Sequence, residues 1–246
     1  MPTVSELTSL YGNFMLGPRP GPGVCDSCFD LVETDSTRCY RCARNGGWLD
    51  AAAPISYSVA HEQLHHALAA YKRQPAPVAR RFQSELAAVL WRYLATHEAC
   101  LARAAQTSGF QLVTAVPSGS PDRDQQHPLR HMLKTLIGPT RERYCRLLER
   151  SAADLPPREF STSKFASTHE LNGQSVLLID DTWTTGASAR SAAAALKHAG
   201  AAVVAAVVIG RHLHRDWAQN DRRLNRLPRP FDWDLCALEP GAQPGR

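Results

Sequence analysis

The sequence lacks any uninterrupted apolar run of the roughly 20 residues that a membrane-spanning helix needs. Its first residues, MPTVSELTSLYGNF, also lack the basic start and the apolar core of a secretory signal. Together these two absences predict a cytoplasmic protein. The chain has 246 residues, of which 43% are hydrophobic and 21% charged. This composition is ordinary for a globular protein, and the length suffices for one sizeable α/β domain with a small appendage.

Neither sign of charge is in large excess. The 28 lysines and arginines against 23 aspartates and glutamates give a net charge of +5. This balance suits an anionic ligand. It does not indicate nucleic acid without a concentrated basic patch, and nucleic acid therefore remains a weakly supported partner.

The seven cysteines are an odd number, and four of them form two C-x-x-C pairs, CDSC and CYRC, separated by ten residues. In a cytoplasmic chain this pattern favours metal over disulfides. We predict a closed Zn²⁺ site of four thiolates that stabilises a small module and leaves no position open for catalysis. An iron–sulfur cluster and a redox pair at either C-x-x-C are the alternatives. The predicted ligands are Cys25, Cys28, Cys39 and Cys42.

The other three cysteines lie outside these pairs. Cys145 is interpreted as a small buried apolar side chain. The sequence assigns no role to Cys100 or Cys236.

Composition and apolar periodicity divide the chain into five segments. One of them, residues 55–105, is expected to contain two helices separated near Pro75 and Pro77. The segments are a leader or linker (1–24), a four-cysteine zinc module (25–50), a helical hood (55–105), an α/β core (106–215) and a basic C-terminal tail (216–246).

The core segment alternates between strand and helix patterns. A strand, a helix and a strand joined by short connections form a parallel crossover unit, which predicts a parallel sheet flanked by helices. Residues 142–150 are interpreted as a strand, with a helix as the alternative, and residues 151–170 as a long loop. The remaining expected elements are strands at 111–117, 175–180 and 201–210, and helices at 127–138 and 187–200.

The stretch VLLIDDTWTTGAS, residues 176–188, carries the main functional signal. Two carboxylates end a buried strand, where ligands of open parallel sheets bind. A loop with hydroxyl groups and Gly186 then leads into a helix, whose first N–H groups attract anions. Carboxylates suit the hydroxyls of a sugar diol, and the loop suits a phosphate. A solvated strand end followed by an ordinary helix cap is the alternative interpretation.

This stretch resembles the 13-residue signature of type I phosphoribosyltransferases, in which four hydrophobic residues, two acidic residues and a T-T-G-x-S/T loop follow one another. The resemblance implies a type I phosphoribosyltransferase fold for the core and a ligand, phosphoribosyl pyrophosphate (PRPP), with Mg²⁺ bridging its oxygens. It further implies displacement of pyrophosphate from C1 by an acceptor that the sequence does not identify. The layout of cysteine module, helices and core is similar to that of the ComF (GntX-like, amidophosphoribosyltransferase-like) family. The segment AYKRQ (70–74) resembles the lysine-containing helix end of that family.

The resemblance also implies individual roles. Asp180 and Asp181 are the implied catalytic pair, contacting the ribose hydroxyls, and the residues after them hold the 5-phosphate. The segment after the first core strand would form a pyrophosphate loop, although it lacks an adjacent basic residue, so that Arg123 or Arg130 would have to serve. The implied PRPP-binding residues are Asp180, Asp181, Thr182, Trp183, Thr184, Thr185, Gly186, Ala187, Ser188, Val116, Pro117, Ser118 and Gly119.

Further basic and histidine-rich segments are weaker candidates. The helix-end group Lys72, Arg73, Arg80 and Arg81 is either a solvated face or part of the PRPP site, and the long loop contributes Arg158, Lys164 and His169. HEQLH (61–65) matches a zinc-protease pattern without a downstream ligand. The segment RHLHR (211–215) follows the last strand and is a candidate for contacting pyrophosphate or acceptor.

The sequence therefore predicts a phosphoribosyltransferase, with two alternatives. One is a regulator that senses PRPP or a nucleotide and has lost turnover. The other is an accessory protein of DNA uptake, which the ComF resemblance implies.

Overall fold

The computed structural model describes residues 2–118, 124, 127–152, 155–156, 158–217 and 219–239. Its helices are α1 (Val4–Thr8), α2 (Tyr11–Phe14), α3 (Tyr40–Asn45), α4 (Gln63–Arg73), α5 (Ala76–Ala104), α6 (Pro128–His131), α7 (Gly138–Arg141), α8 (Ala187–His198) and α9 (Asn220–Leu224). A π-helical turn, Met132–Leu136, joins α6 to α7. The strands are β1 (Ala51–Val59), β2 (Leu112–Ala115), β3 (Leu148–Arg150), β4 (Phe165–Ser167), β5 (Ser175–Trp183) and β6 (Val203–Leu213).

Four of the strands form a parallel sheet in the order β1-β6-β5-β2. Alternate side chains of β5 pack on opposite sides, as the two-residue period of a strand requires. Leu177 and Ile179 pack with the long helix α5, whereas Val176 and Leu178 pack with α8. The predicted parallel sheet flanked by helices is therefore confirmed.

Strand β1 was not predicted from the sequence. Its residues, AAAPISYSV, are mostly small and include Pro54, so they lack the run of large β-branched residues that marked the other strands. The proline is tolerated because β1 lies at an edge of the sheet, where its one neighbouring strand in the described ranges is β6.

The two hood helices, α4 and α5, lie on either side of Gln74 and Pro75, as expected. Helix α5 continues through Pro77 because a proline in the first turn loses no intrahelical hydrogen bond. The segment 142–150 forms neither a full strand nor a helix. Only its end, β3, is a strand, and it pairs antiparallel with β4 inside the region expected to be a loop. None of the helices in the described ranges is both long and apolar enough to cross a bilayer.

Candidate functional site

A cavity of about 240 Å³ lies at the carboxyl ends of β2 and β5. It brings together every described residue of the predicted sugar-phosphate site except Asp181, while Gly119 lies outside the described residues. Cavities of about 410 and 470 Å³ lie beside β4 and against α1, but neither includes the end of β5. The 240 Å³ cavity is lined by Lys72, Val116, Pro117, Ser118, His127, Arg158, Asp180, Thr182, Trp183, Thr184, Thr185, Gly186, Ala187, Ser188 and Ala189.

Only the first carboxylate of the pair lines this cavity. Strand β5 continues to Trp183, and its alternation leaves Asp180 at the cavity and buries Asp181. Asp181 Oδ2 accepts a hydrogen bond from the Tyr71 hydroxyl and pairs with the Lys72 ammonium. The structure therefore places only one of the two predicted ribose ligands, Asp180, at the cavity, and ribose binding by either carboxylate stays a prediction. Asp181 instead orients Lys72, which does line the cavity.

The two neighbouring carboxyls differ in their ionisation. Burial raises the pKa of Asp180 to about 8, and the adjacent negative charge of Asp181 acts in the same direction. Burial also opposes ionisation of Asp181, but the charge of Lys72 and the hydrogen bonds from Lys72 and Tyr71 outweigh it and hold that pKa below its ordinary value. Asp180 is therefore the carboxyl of the pair whose ionisation would respond to the charge of a bound ligand.

We expect Asp180→Asn to stabilise the protein increasingly as pH rises from 5 to 8, by about 1–3 kcal/mol. The unfolded chain loses the Asp180 proton near its ordinary pKa, whereas the folded protein keeps it to about pH 8. Wild-type stability therefore falls through this interval, and the asparagine variant escapes the loss. Urea unfolding at several pH values measures it.

Asp181→Asn is the matched control, with the opposite expected sign. It removes a carboxyl whose pKa is lowered, so it should destabilise the protein at pH values above the ordinary carboxyl range. If the free energies of unfolding of wild type and Asp180→Asn changed in parallel with pH, the raised pKa of Asp180 in the folded protein would be contradicted.

The loop after β5 adopts a conformation that requires glycine. Gly186 has a φ of +73°, in the left-handed region, and α8 begins at the next residue. The Thr185 hydroxyl accepts a hydrogen bond from the Ala187 N–H (3.2 Å) and donates one to the Arg158 carbonyl (3.2 Å). The first turn of the 12-residue α8 thus faces the cavity, where its dipole and N–H groups favour an anion.

Trp183 adds a second constraint on the same glycine. A Cβ atom at Gly186 would lie 2.4 Å from Cε2 of the Trp183 indole. We therefore expect Gly186→Ala to lower the free energy of unfolding by roughly 2–4 kcal/mol, combining backbone strain with displacement of the indole. Urea unfolding measures the change.

Gly173→Ala is the matched control for this prediction. Gly173 has nearly the same φ, +78°, but nothing lies within 4 Å of an added Cβ. It should cost only the roughly 1–2 kcal/mol of left-handed backbone strain. Equal losses in both variants would show that the indole imposes no constraint.

The segment after β2 is held by Asp124. The Ser118 N–H donates to Asp124 Oδ1 (2.8 Å), and Oδ2 pairs with Arg130 (2.6 Å) and Arg146 (3.3 Å). Arg130 is therefore committed to Asp124 and does not line the cavity. Arg123, the other cation considered for this loop, lies outside the described residues.

His127 lines the cavity, although no role for it was predicted from the sequence. The residue is 8% exposed, and within the described ranges its Nδ1 has no hydrogen-bond partner. Burial lowers its pKa to about 4, and the positive charge of Lys72 acts in the same direction. A buried neutral imidazole with an unsatisfied nitrogen can hydrogen-bond a ligand. Its position just before Pro128, at the start of α6, was the available sequence signal.

The four predicted cysteine ligands meet in space. Their Sγ atoms all lie within 4.8 Å of one another, and those of Cys28 and Cys39 are 3.7 Å apart. A tetrahedral ion with metal–sulfur bonds of about 2.3 Å requires sulfur–sulfur edges of about 3.8 Å. A disulfide requires about 2.05 Å. The group could therefore hold a metal such as Zn²⁺, and its four thiols are not paired as disulfides.

Two buried arginines connect this cluster to the loop after β5. Arg190 donates to Cys42 Sγ (2.7 Å) and to the Thr185 carbonyl (3.0 Å). Arg211 donates to the carbonyls of Cys28 (3.2 Å), Trp183 (3.0 Å) and Thr184 (2.9 Å). Their positive charges lie where four thiolates around a divalent ion would leave a net negative charge.

Arg211 further pairs with Asp30 (2.7 Å) and is 3% exposed, so it is a structural bridge rather than the pyrophosphate contact considered from the sequence. This bridge was not predicted.

Other sequence candidates lie away from the cavity. Glu62 of the H-E-x-x-H pattern pairs with Arg215, and these three residues do not form a metal-ligand group in the described ranges. Of the long-loop candidates, only Arg158 lines the cavity, whereas Lys164 is buried and His169 lies in the cavity beside β4.

Comparison with known proteins adds no family assignment. No protein-family model matches the chain, and no curated protein matches it either.

Proposed function

We propose that the protein is a cytoplasmic PRPP-binding phosphoribosyltransferase of the type I fold, similar to the ComF family. The observation that supports this most directly is the composition of one cavity. It combines the Asp180 carboxyl, a glycine loop at the start of α8, and the cationic side chains of Lys72 and Arg158. A sugar diol, its 5-phosphate and a pyrophosphate together call for these three kinds of group.

In this proposal each part of the ligand has its own partners. The loop 182–188 and the first turn of α8 bind the 5-phosphate. Asp180 accepts hydrogen bonds from the ribose hydroxyls, and Lys72 and Arg158 bind pyrophosphate oxygens. Mg²⁺ bound to PRPP supplies further charge neutralisation on those oxygens.

The reaction breaks the bond between C1 and the pyrophosphate oxygen and forms a bond from C1 to the acceptor. Both electrons of the broken bond leave with pyrophosphate, so positive charge develops on the sugar ring. An ionised Asp180 stabilises that charge from a fixed position. The cations around the pyrophosphate favour ionisation of Asp180, which burial opposes in the free protein.

The four-cysteine module is assigned a structural Zn²⁺ site in this proposal. Cys25, Cys28, Cys39 and Cys42 are the ligands, and a set of four thiolates leaves no open position for water. The module supports the loop after β5 through Arg190 and Arg211.

Thermal unfolding with PRPP and Mg²⁺ tests the binding step. PRPP at 100 times its Kd should stabilise the protein by about 2.7 kcal/mol, and ribose 5-phosphate or pyrophosphate alone by less. Asp180→Asn should reduce the effect of PRPP while retaining that of inorganic phosphate. No stabilisation at millimolar PRPP would contradict the proposal.

Pyrophosphate release in the presence of nucleobases and amines tests turnover. Release that depends on one acceptor identifies the substrate. Stabilisation by PRPP without release from any acceptor would favour the second candidate, a PRPP-sensing regulator. One observation favours this candidate: Val116, Pro117 and Ser118, the described part of the predicted pyrophosphate loop, include no basic residue.

A further inference from the structure

A second group of metal-ligating side chains lies far from the four-cysteine module. The ligand atoms of His97, Cys100, Cys236 and Glu239 are all within 4.8 Å of one another. The first two lie three residues apart on α5, on one face of the helix. The last two lie three residues apart in a turn closed by the Glu239 N–H and the Cys236 carbonyl (3.3 Å). Two short ligand pairs thus converge from opposite parts of the sequence.

The distances within this group suit a tetrahedral ion. Cys100 Sγ is 3.2 Å from Glu239 Oε1 and 3.8 Å from His97 Nδ1. Metal–ligand bonds of about 2.0–2.3 Å at tetrahedral angles place neighbouring ligand atoms roughly 3.3–3.8 Å apart. The two cysteines are free thiols, so the group is not a disulfide.

The hydrogen bond on the other side of the histidine ring fixes its tautomer. His97 Nε2 lies 2.8 Å from the Trp233 carbonyl oxygen. A carbonyl only accepts, so Nε2 carries the proton and Nδ1 presents its lone pair towards Cys100. Metal-binding histidines commonly have such an orienting acceptor on the second nitrogen. Here the acceptor belongs to the same C-terminal segment that supplies Cys236 and Glu239.

The surroundings of the group add an independent observation. Tyr93 is 2% exposed, and in the part of the chain that the structure describes its hydroxyl lies beside the Cys236 thiol without making a well-aligned hydrogen bond. Its ring centroid is 5.0 Å from that of His97. A neutral thiol is a weak acceptor for a buried hydroxyl, whereas a metal-bound thiolate is an anionic and stronger one.

We propose that His97, Cys100, Cys236 and Glu239 form a second Zn²⁺ site, which fastens the C-terminal segment to α5. Two sulfurs, one nitrogen and one carboxylate oxygen are a donor set that Zn²⁺ accepts and that Mg²⁺ and Ca²⁺ disfavour. Four protein ligands close the coordination sphere, so the site is structural. Packing of the Arg92 guanidinium 4.4 Å from the Trp233 ring holds the same segment in place.

The stoichiometry of Zn²⁺ in the full-length protein tests this proposal. Protein saturated with ZnCl₂ and then dialysed should retain two zinc ions per chain by elemental analysis. The double variant Cys100→Ser, Cys236→Ser should retain one, and Cys145→Ser, which alters a cysteine outside both groups, should retain two. One ion in the wild-type protein would overturn the proposal without reference to any variant's folding.

Cobalt substitution distinguishes the two sites. Co²⁺ in wild-type protein should show thiolate charge-transfer bands from six sulfurs, and the double variant should keep only those of the four-cysteine site. Glu239→Gln should keep both thiolates bound but weaken retention of the second ion at least about 10-fold. Recovery of Cys100 and Cys236 as a disulfide from zinc-loaded protein would also overturn the proposal.

Discussion

Replacing Arg190 with methionine is expected to lower the free energy of unfolding by about 3–5 kcal/mol, because one partner of a buried charged contact is removed. Arg190 is 4% exposed, and its guanidinium joins Cys42 Sγ to the Thr185 carbonyl. Methionine fills much of the same volume but leaves the Thr185 carbonyl and Cys42 Sγ without this charged donor. Urea unfolding measures the loss of stability.

The same variant should weaken retention of metal by the four-cysteine cluster about 10- to 100-fold, as the loss of an outer-shell partner does elsewhere. Arg44→Met is the matched control. Arg44 belongs to the same cysteine module but is exposed, and within the described ranges its guanidinium donates to the Tyr40 hydroxyl alone (2.7 Å). It should change stability by less than about 0.5 kcal/mol. Equal effects of the two substitutions would show that the Arg190 contact with the loop after β5 contributes nothing to stability or to metal retention.

Replacing Cys39 with serine is expected to release metal from the four-cysteine cluster and to unfold the module around it. Small metal modules depend on the ion for folding, so affinity should fall by at least about 100-fold. Because Arg190 and Arg211 join this module to the loop after β5, amide hydrogen exchange should accelerate in residues 182–190 as well as in 25–45. Exchange measured by mass spectrometry resolves these two regions.

Cys145→Ser is the control for this substitution. Cys145 is half-buried like Cys39, but it belongs to neither group of metal-ligating residues. Exchange in both regions should stay at its wild-type rate. Faster exchange confined to residues 25–45 in Cys39→Ser would show that the loop is independent of the module.

The local motif was well predictable from the sequence, because its strand, loop and helix are contiguous. Residues 176–188 indicated a buried strand, a glycine turn and a helix start, and the structure has all three. The cysteine pairs likewise indicated one metal-ligand group by spacing alone. Both features depend on residues that lie close to one another in the sequence.

Features that depend on distant contacts were not predictable in this way. Asp181 appeared equivalent to Asp180 because nothing near it in the sequence shows that Tyr71, 110 residues earlier, would bind its carboxylate. Arg190 lies in an alanine-rich helix, where an arginine ordinarily faces solvent; only the fold brings it to Cys42, 148 residues away. Strand β1 was missed because its small residues and Pro54 carry no local strand pattern, and its pairing with β6, about 150 residues further along the chain, is formed only in the fold.

The bridge made by Arg190 and Arg211 has a thermodynamic consequence. A coupling free energy between two sites is the same in either direction. If metal in the cysteine module tightens the binding of an anion by the loop after β5, that anion must tighten the module's hold on metal by the same factor. A chelator competition run with and without PRPP would then measure ligand binding at the loop through the metal alone.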